Sequence, residues 1–186
     1  MRYKTLRFLT ALFSLFLSAC VSQTDAQDFD KLQAAKARID LALGYLAQNN
    51  QEQSKLNLDK ALSYAPDYYL VHSALAYFYQ QQGNIEQAEK SYLQAIKSDN
   101  RQGDTFNNYG TFLCAQGKFD TAYQQFNLAL STPNYYRQAD TYENMALCAL
   151  AENNERVYRE SLALLEKTDA GRAQRLRQRA QTTSIN

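Results

Sequence analysis

Tryptophan is absent from the 186 residues, proline occurs twice, glycine six times and histidine once. So few helix breakers among many Ala, Leu and Gln point to an all-α chain. Around the single histidine, His72, no nucleophile–base constellation can be assembled, so catalysis is not expected. The three cysteines, Cys20, Cys114 and Cys148, lie far apart without paired ligands, and no Gly-rich phosphate loop is present. Neither a metal nor another cofactor is expected. Lys and Arg total 20 against 19 Asp and Glu, a net charge of +1, which creates no strong field for nucleic acid. The chain also lacks a long apolar run. Residues 8–17, interrupted only by Thr10 and Ser14, fall well short of the roughly 20 residues needed to span a bilayer as a helix.

What is there begins with Arg2, Lys4 and Arg7 ahead of that short run, the charged and apolar regions of an export signal. Leu17-Ser18-Ala19-Cys20 then resembles the lipobox of bacterial lipoproteins. The resemblance implies removal of residues 1–19, a lipid on Cys20 and anchoring by several acyl chains, each buried CH₂ contributing about 0.8 kcal/mol. Val21 rather than Asp follows the cysteine, which by the same resemblance directs the protein to the periplasmic face of the outer membrane. The signal holds three cations and no acidic residue, so the remaining 167 residues carry a net charge near −2, enough chain for one domain with a real core.

The body of the chain repeats. Leu75-Ala76, Tyr79, Gly83, Ala88, Tyr92 and Ala95 recur 34 residues later as Tyr109-Gly110, Leu113, Gly117, Ala122, Phe126 and Ala129. An earlier copy holds Leu41-Ala42, Tyr45, Asn49, Leu58 and Ala61. A fourth, after a 36-residue step, holds Met145-Ala146, Ala149 and Asn153, and its second half, with Tyr158, Leu162 and Leu165, fits poorly. Three copies in one phase resemble the tetratricopeptide repeat (TPR), in which each copy is a pair of helices, A and B. A hairpin of this kind cannot bury its own apolar face, so copies stack, and the expected architecture is a right-handed superhelix of about four repeats.

The phase predicts A helices over residues 31–48, 68–82, 103–116 and 135–151, and B helices over 51–64, 85–98, 119–130 and 155–167. Residues 20–30 read as a lipidated, aperiodic tether, 31–168 as the TPR domain and 169–186 as a basic tail. Gly83 and Gly117 stand where a left-handed helix C-cap is needed. Ala88 and Ala122 mark the close crossing of helix B, with Tyr92 and Phe126 beside them. His72 takes the place usually held by Trp in the repeat and reads as packing. Cys114 and Cys148 fall on neighbouring A helices; they either pair in an oxidising periplasm or serve as small core or groove residues. Arg172, Arg175, Arg177 and Arg179 form either a solvated helix face or a contact to anionic lipid or peptidoglycan.

The concave-groove positions of helix A include Ile39, Leu43 and Leu46 in the first repeat. Leu70, Ser73, Tyr77 and Gln80 follow in the second, Asn107, Thr111 and Cys114 in the third, and Leu147 and Leu150 in the fourth. An apolar stretch beside the amides of Asn107 and Asn108 suits an extended or helical peptide, although Leu43, Leu46 and Tyr77 are equally readable as packing.

A lipobox ahead of the array, together with residues 35–46, Asn107-Asn108-Tyr109-Gly110-Thr111-Phe112-Leu113 and Tyr142-Glu143-Asn144, resembles the type IV pilus biogenesis lipoproteins of the PilF/PilW family over roughly residues 31–154. The resemblance implies a pilotin, an outer-membrane lipoprotein that binds secretin subunits and promotes their localisation and multimerisation. Members of that family usually continue into further repeats, so a shortened or differently capped form is expected. A general TPR scaffold of envelope assembly or cell division is the alternative on the same plan.

Overall fold

The computed structural model describes residues 23–183, so residues 1–22, with the signal and Cys20, lie outside the described part. Nine helices and no strand are found among the described residues. They are α1 (Gln23–Ala47), α2 (Gln51–Tyr64), α3 (Tyr69–Gln81), α4 (Ile85–Ser98), α5 (Gly103–Ala115), α6 (Phe119–Ser131), α7 (Gln138–Glu152), α8 (Glu155–Thr168) and α9 (Ala170–Thr183). None is long and apolar enough to cross a membrane. The chain divides after Pro66 into two compact units, and each is taken by itself.

In the first unit α1 and α2 form a hairpin. Ala35, Ile39 and Ala42 recur at helical spacing and are buried on α1, as are Ser54, Leu58 and Ala61 on α2. Asn49 turns the chain with φ of 58°, a conformation that Asn tolerates better than most residues, and the Asn50 side chain accepts a hydrogen bond from Gln53 N at 3.2 Å. Arg38 Nη1 donates to Asn57 Oδ1 at 3.0 Å and ties the two helices together.

The second unit repeats the hairpin as α3/α4, α5/α6 and α7/α8. Each A–B turn has a left-handed residue, Gly83 (φ 69°), Gly117 (φ 73°) or Asn153 (φ 62°). The next backbone N–H reaches back five residues: Asn84 N to Tyr79 O at 2.9 Å, Lys118 N to Leu113 O at 3.0 Å and Asn154 N to Ala149 O at 2.8 Å. Asn50 N makes the same bond to Tyr45 O at 2.8 Å in the first unit. These bonds satisfy carbonyls that a helix end leaves unpaired. One core of this unit joins Ala88 and Tyr92 of α4 to Tyr109, Phe112 and Leu113 of α5, with Ala122 and Phe126 of α6 and Cys148 of α7. Gly110 lets α6 come close, since a Cβ there would lie 2.7 Å from the Phe126 ring.

Three boundaries differ from the periodicity. Residues 23–30, expected as an aperiodic tether, are the first turns of α1; they contain neither Gly nor Pro. Helix α7 starts at Gln138 instead of residue 135. The two inserted residues leave Asn134 left-handed at φ 60° and turn Tyr135 inward, where its hydroxyl lies 2.8 Å from Thr141 Oγ1. Residues 170–183, read as a basic tail, form α9: Ala173 and Leu176, three apart, are buried with Ala146, Leu162 and Leu165. The same contacts bring the poorly fitting second half of the fourth repeat into the core as α8.

Candidate protein-binding face

Helices α3, α5 and α7 are the A helices of the second unit, and bonds between their side chains hold them in line. Ser73 Oγ lies 3.3 Å from Thr105 Oγ1 across α3 and α5. Asn144 Nδ2 on α7 donates to Asn107 Oδ1 on α5 at 3.0 Å. Cys114 and Cys148 form a disulfide between the same two helices, with Cα atoms 5.8 Å apart. Of the alternatives open in the sequence, pairing is therefore the one realised.

Acid–base pairs run beside these contacts. Arg137 bridges Asp104 (3.1 Å) and Asp140 (2.6 Å). Arg172 of α9 donates to Asp140 and, through Nε at 2.7 Å, to Glu143. Burial opposes ionisation of Asp140, but the hydrogen bonds from Arg172 and Arg137 outweigh it and hold the carboxyl below its ordinary range. Two of the C-terminal arginines are thus engaged within the fold, Arg172 here and Arg177 with Glu166.

With repeat positions counted from residues 69, 103 and 139, the ninth position of each of these A helices faces solvent between the fixed points. Tyr77 is 44% exposed and Leu147 43%, and Thr111, exposed between them in the sequence of helices, donates to Asn107 O at 3.1 Å. Two apolar side chains flanking a polar one can receive a segment whose own apolar groups alternate with backbone polar groups.

The expected groove residues divide. In the second unit Ser73 is half-buried, while Tyr77, Asn108 and Thr111 are exposed. Asn107 is buried and its amide oxygen accepts from Asn144, which joins α5 to α7. In the first unit Leu43 is exposed and Leu46 half-buried, but Ile39 is buried and corrects the expectation that it lines a groove. The repeat pattern does not single out Thr105, Asp104, Arg137 or Asp140, and it reads Arg172 only as part of a basic C-terminus. The available signal was Asp at the second repeat position of two successive A helices, Asp104 and Asp140, followed 33 and 32 residues later by Arg137 and Arg172.

The tetratricopeptide repeat family matches residues 71–102. An uncharacterised protein of Haemophilus influenzae is 52% identical over 164 residues, covering 88% of this chain and 91% of its own length. The type IV pilus assembly protein PilF of Pseudomonas aeruginosa is 35% identical over 146 residues, covering 76% of this chain. The chain spans only 58% of that relative's length. A solved structure of P. aeruginosa PilF superposes with a TM-score of 0.70 at 32% identity, covering 76% of this chain and 64% of the other. PilW, a widely conserved type IV pilus biogenesis factor, shows the same fold with a TM-score of 0.67 at 23% identity, over 73% and 62% of the two chains. The chain belongs to the family of TPR proteins that includes the Haemophilus protein, and it is homologous to the type IV pilus protein PilF.

Proposed function

We propose that this protein is an outer-membrane lipoprotein, anchored through Cys20, that binds a secretin and promotes its localisation and multimerisation in type IV pilus biogenesis. The observation that carries the reading is the relation to PilF across the repeat array, at 35% identity over 146 residues. Two further features support it. Leu17-Ser18-Ala19-Cys20 has the form of a lipidation signal, and a TPR array works by offering an extended face to a protein partner. The partner segment seats its apolar side chains on Tyr77 and Leu147, which lose solvent on binding, while Thr111 and Asn108 supply polar contacts.

Co-purification from outer membranes tests the reading. The wild-type protein is expected to bring down the secretin, and Tyr77→Ala to bring down at least about tenfold less, as loss of an aromatic anchor commonly does. Capture of a different envelope protein would instead support the scaffold reading. Metabolic labelling with palmitate tests the anchor: label is expected on the wild type and not on Cys20→Ser, and label on that variant would sink the lipobox assignment.

A further inference from the structure

Six residues, 132–137, join α6 to α7, where four, 99–102, join α4 to α5. Of the longer link only Tyr135 is buried, against Gly103, with its hydroxyl 2.8 Å from Thr141 Oγ1. The next residue, Tyr136, is 90% exposed, the most of any large apolar side chain among the described residues. Its ring gains almost no burial from the fold, which leaves its face free for a ligand. Tyr136 lines a cleft of about 360 Å³ between the two links, together with Arg101, Gln102, Asp104, Asn134 and Arg137. That volume lies at the lower end of the roughly 300–1,000 Å³ range of small-ligand sites.

Hydrogen bonds hold the polar lining in place and decide what it has left to offer. Gln102 Nε2 donates to Asp99 Oδ2 at 2.9 Å, which leaves Oε1 as an acceptor. Arg137 uses Nε on Asp140 and Nη1 on Asp104, which leaves Nη2 as a donor. Arg101 meets Asp99 through Nε at 3.2 Å, and its side chain is otherwise in solvent. These pairings argue against an anion as the ligand, because each arginine already faces a carboxylate and Asp104 itself lines the cleft. An apolar segment would strand the charged and amide groups without partners. A sugar meets both conditions. Its hydroxyls each donate and accept, as a mixed set of Arg, Asp and amide groups requires, and one face of its ring carries C–H groups that rest on the electron-rich face of an aromatic ring.

We propose that this cleft is a saccharide site, in which Tyr136 stacks on a pyranose ring and Arg137, Asn134 and Gln102 bond its hydroxyls. The sugar chemistry is read from the cleft alone. That the sugar belongs to a glycan of the cell envelope, either the peptidoglycan strand or the polysaccharide of lipopolysaccharide, rests on the lipid-anchor reading above. The site is separate from the protein-binding face, since Tyr136 and Arg101 lie on links between helices, whereas Tyr77, Thr111 and Leu147 lie within α3, α5 and α7. A chain with both ties its protein partner to the envelope glycan.

The full chain as processed by the cell, in detergent, is tested by co-sedimentation with peptidoglycan sacculi and by calorimetric titration with delipidated lipopolysaccharide and with chitotriose, a soluble probe. Wild type is expected to bind chitotriose with a Kd of about 1 mM or tighter, and to bind one of the two envelope glycans, which identifies the source. Tyr136→Ala should weaken the chitotriose titration about tenfold or more, and Tyr136→Phe, which keeps the ring, should stay within about twofold of wild type. Arg101→Ala should weaken it about threefold, the loss of one exposed donor. Tyr136 and Arg101 are exposed, so all three variants should melt like wild type. Tyr136→Ala should still bring down the secretin. A wild type that binds sugar without capturing a secretin would fail the pilus reading and support this one. A wild type that binds neither glycan, nor chitotriose at about 10 mM, a concentration that reveals even a weak site, overturns the proposal. So does sugar binding that Tyr136→Ala leaves intact, because the sugar would then sit elsewhere.

Discussion

The α5–α7 segment and the α1–α2 hairpin follow one repeat, but they meet its demands differently. Between α5 and α7 the chain is fastened by a disulfide, by the Asn107–Asn144 amide contact and by Arg137 between Asp104 and Asp140, and Gly110 is held under Phe126. On α1 the corresponding face is exposed at Leu41, and no atom of the described residues lies within 4 Å of where a Cβ on Gly44 would stand. The same repeat position is core in one region and surface in the other, because a repeat supplies only half of each interface and its neighbour supplies the rest. Substitutions should therefore act strongly where a neighbour is present and weakly, or with opposite sign, where it is absent.

The largest effect is expected from Phe126→Ala. Its ring is fully buried over Gly110, and removing a buried aromatic side chain costs about 3–5 kcal/mol. Chemical denaturation followed by circular dichroism should show the loss, and a midpoint close to wild type would mean that the α5–α6 crossing is not as described. Next comes the disulfide. Cys114 and Cys148 are separated by 34 residues, and releasing a loop of that length from the unfolded state costs about 2–4 kcal/mol. The paired replacement Cys114→Ser with Cys148→Ser should melt lower than the oxidised wild type and close to the reduced wild type. Equal melting of the oxidised wild type and the double variant would show that the bond adds no stability.

Much of this contrast is legible in the sequence. The 34-residue period places α2 and α4 at their observed ends and aligns Asn49 with Gly83 and Gly117, and the 36-residue step adds Asn153, all four left-handed in the structure. Other features depend on which helix stands opposite, and a single sequence does not contain that. Asn107 looks the same whether its amide meets a ligand or Asn144. Cys114 and Cys148 occupy the twelfth and tenth positions of their helices, so their pairing depends on how α5 and α7 are rotated. Helix α9 is hidden by its arginines, because only Ala173 and Leu176 reach the core. The two-residue insertion reveals a longer link but not that Tyr135 turns inward, where a Cβ on Gly103 would come within 2.5 Å of its ring.

Gly110→Ala sharpens the comparison inside the fastened region. The added Cβ would lie 2.7 Å from Phe126 and 3.1 Å from the backbone oxygen of Ala122, an overpacking that costs about 1–3 kcal/mol. A lower melting temperature is expected. Asp140 should give a smaller, pH-dependent effect. Its carboxyl titrates below the ordinary value in the folded protein, so its contribution is complete above the unfolded pKa and disappears as pH falls through the folded one. Asp140→Asn should therefore be less stable than wild type by about 1 kcal/mol above about pH 5, the scale of a partly exposed charged hydrogen bond. The two should converge in acid. A gap that persists unchanged at low pH would assign the effect to packing instead.

The smallest effect, and the one with the opposite sign, is expected at Gly44. Like Gly110 it lies within an A helix, but no atom of the described residues stands within 4 Å of where its Cβ would be. Gly44→Ala then changes little except the conformational freedom of the unfolded chain and the helix propensity at that position, together worth about 0.5–1 kcal/mol in favour of the folded state. Amide exchange on α1 gives a second, local readout beside the melt. Slower exchange along α1 and an unchanged or slightly raised melting temperature are the expected outcomes. Faster exchange would mean that a neighbour already stands over Gly44, and the contrast between the two glycines would then be one of degree rather than of sign.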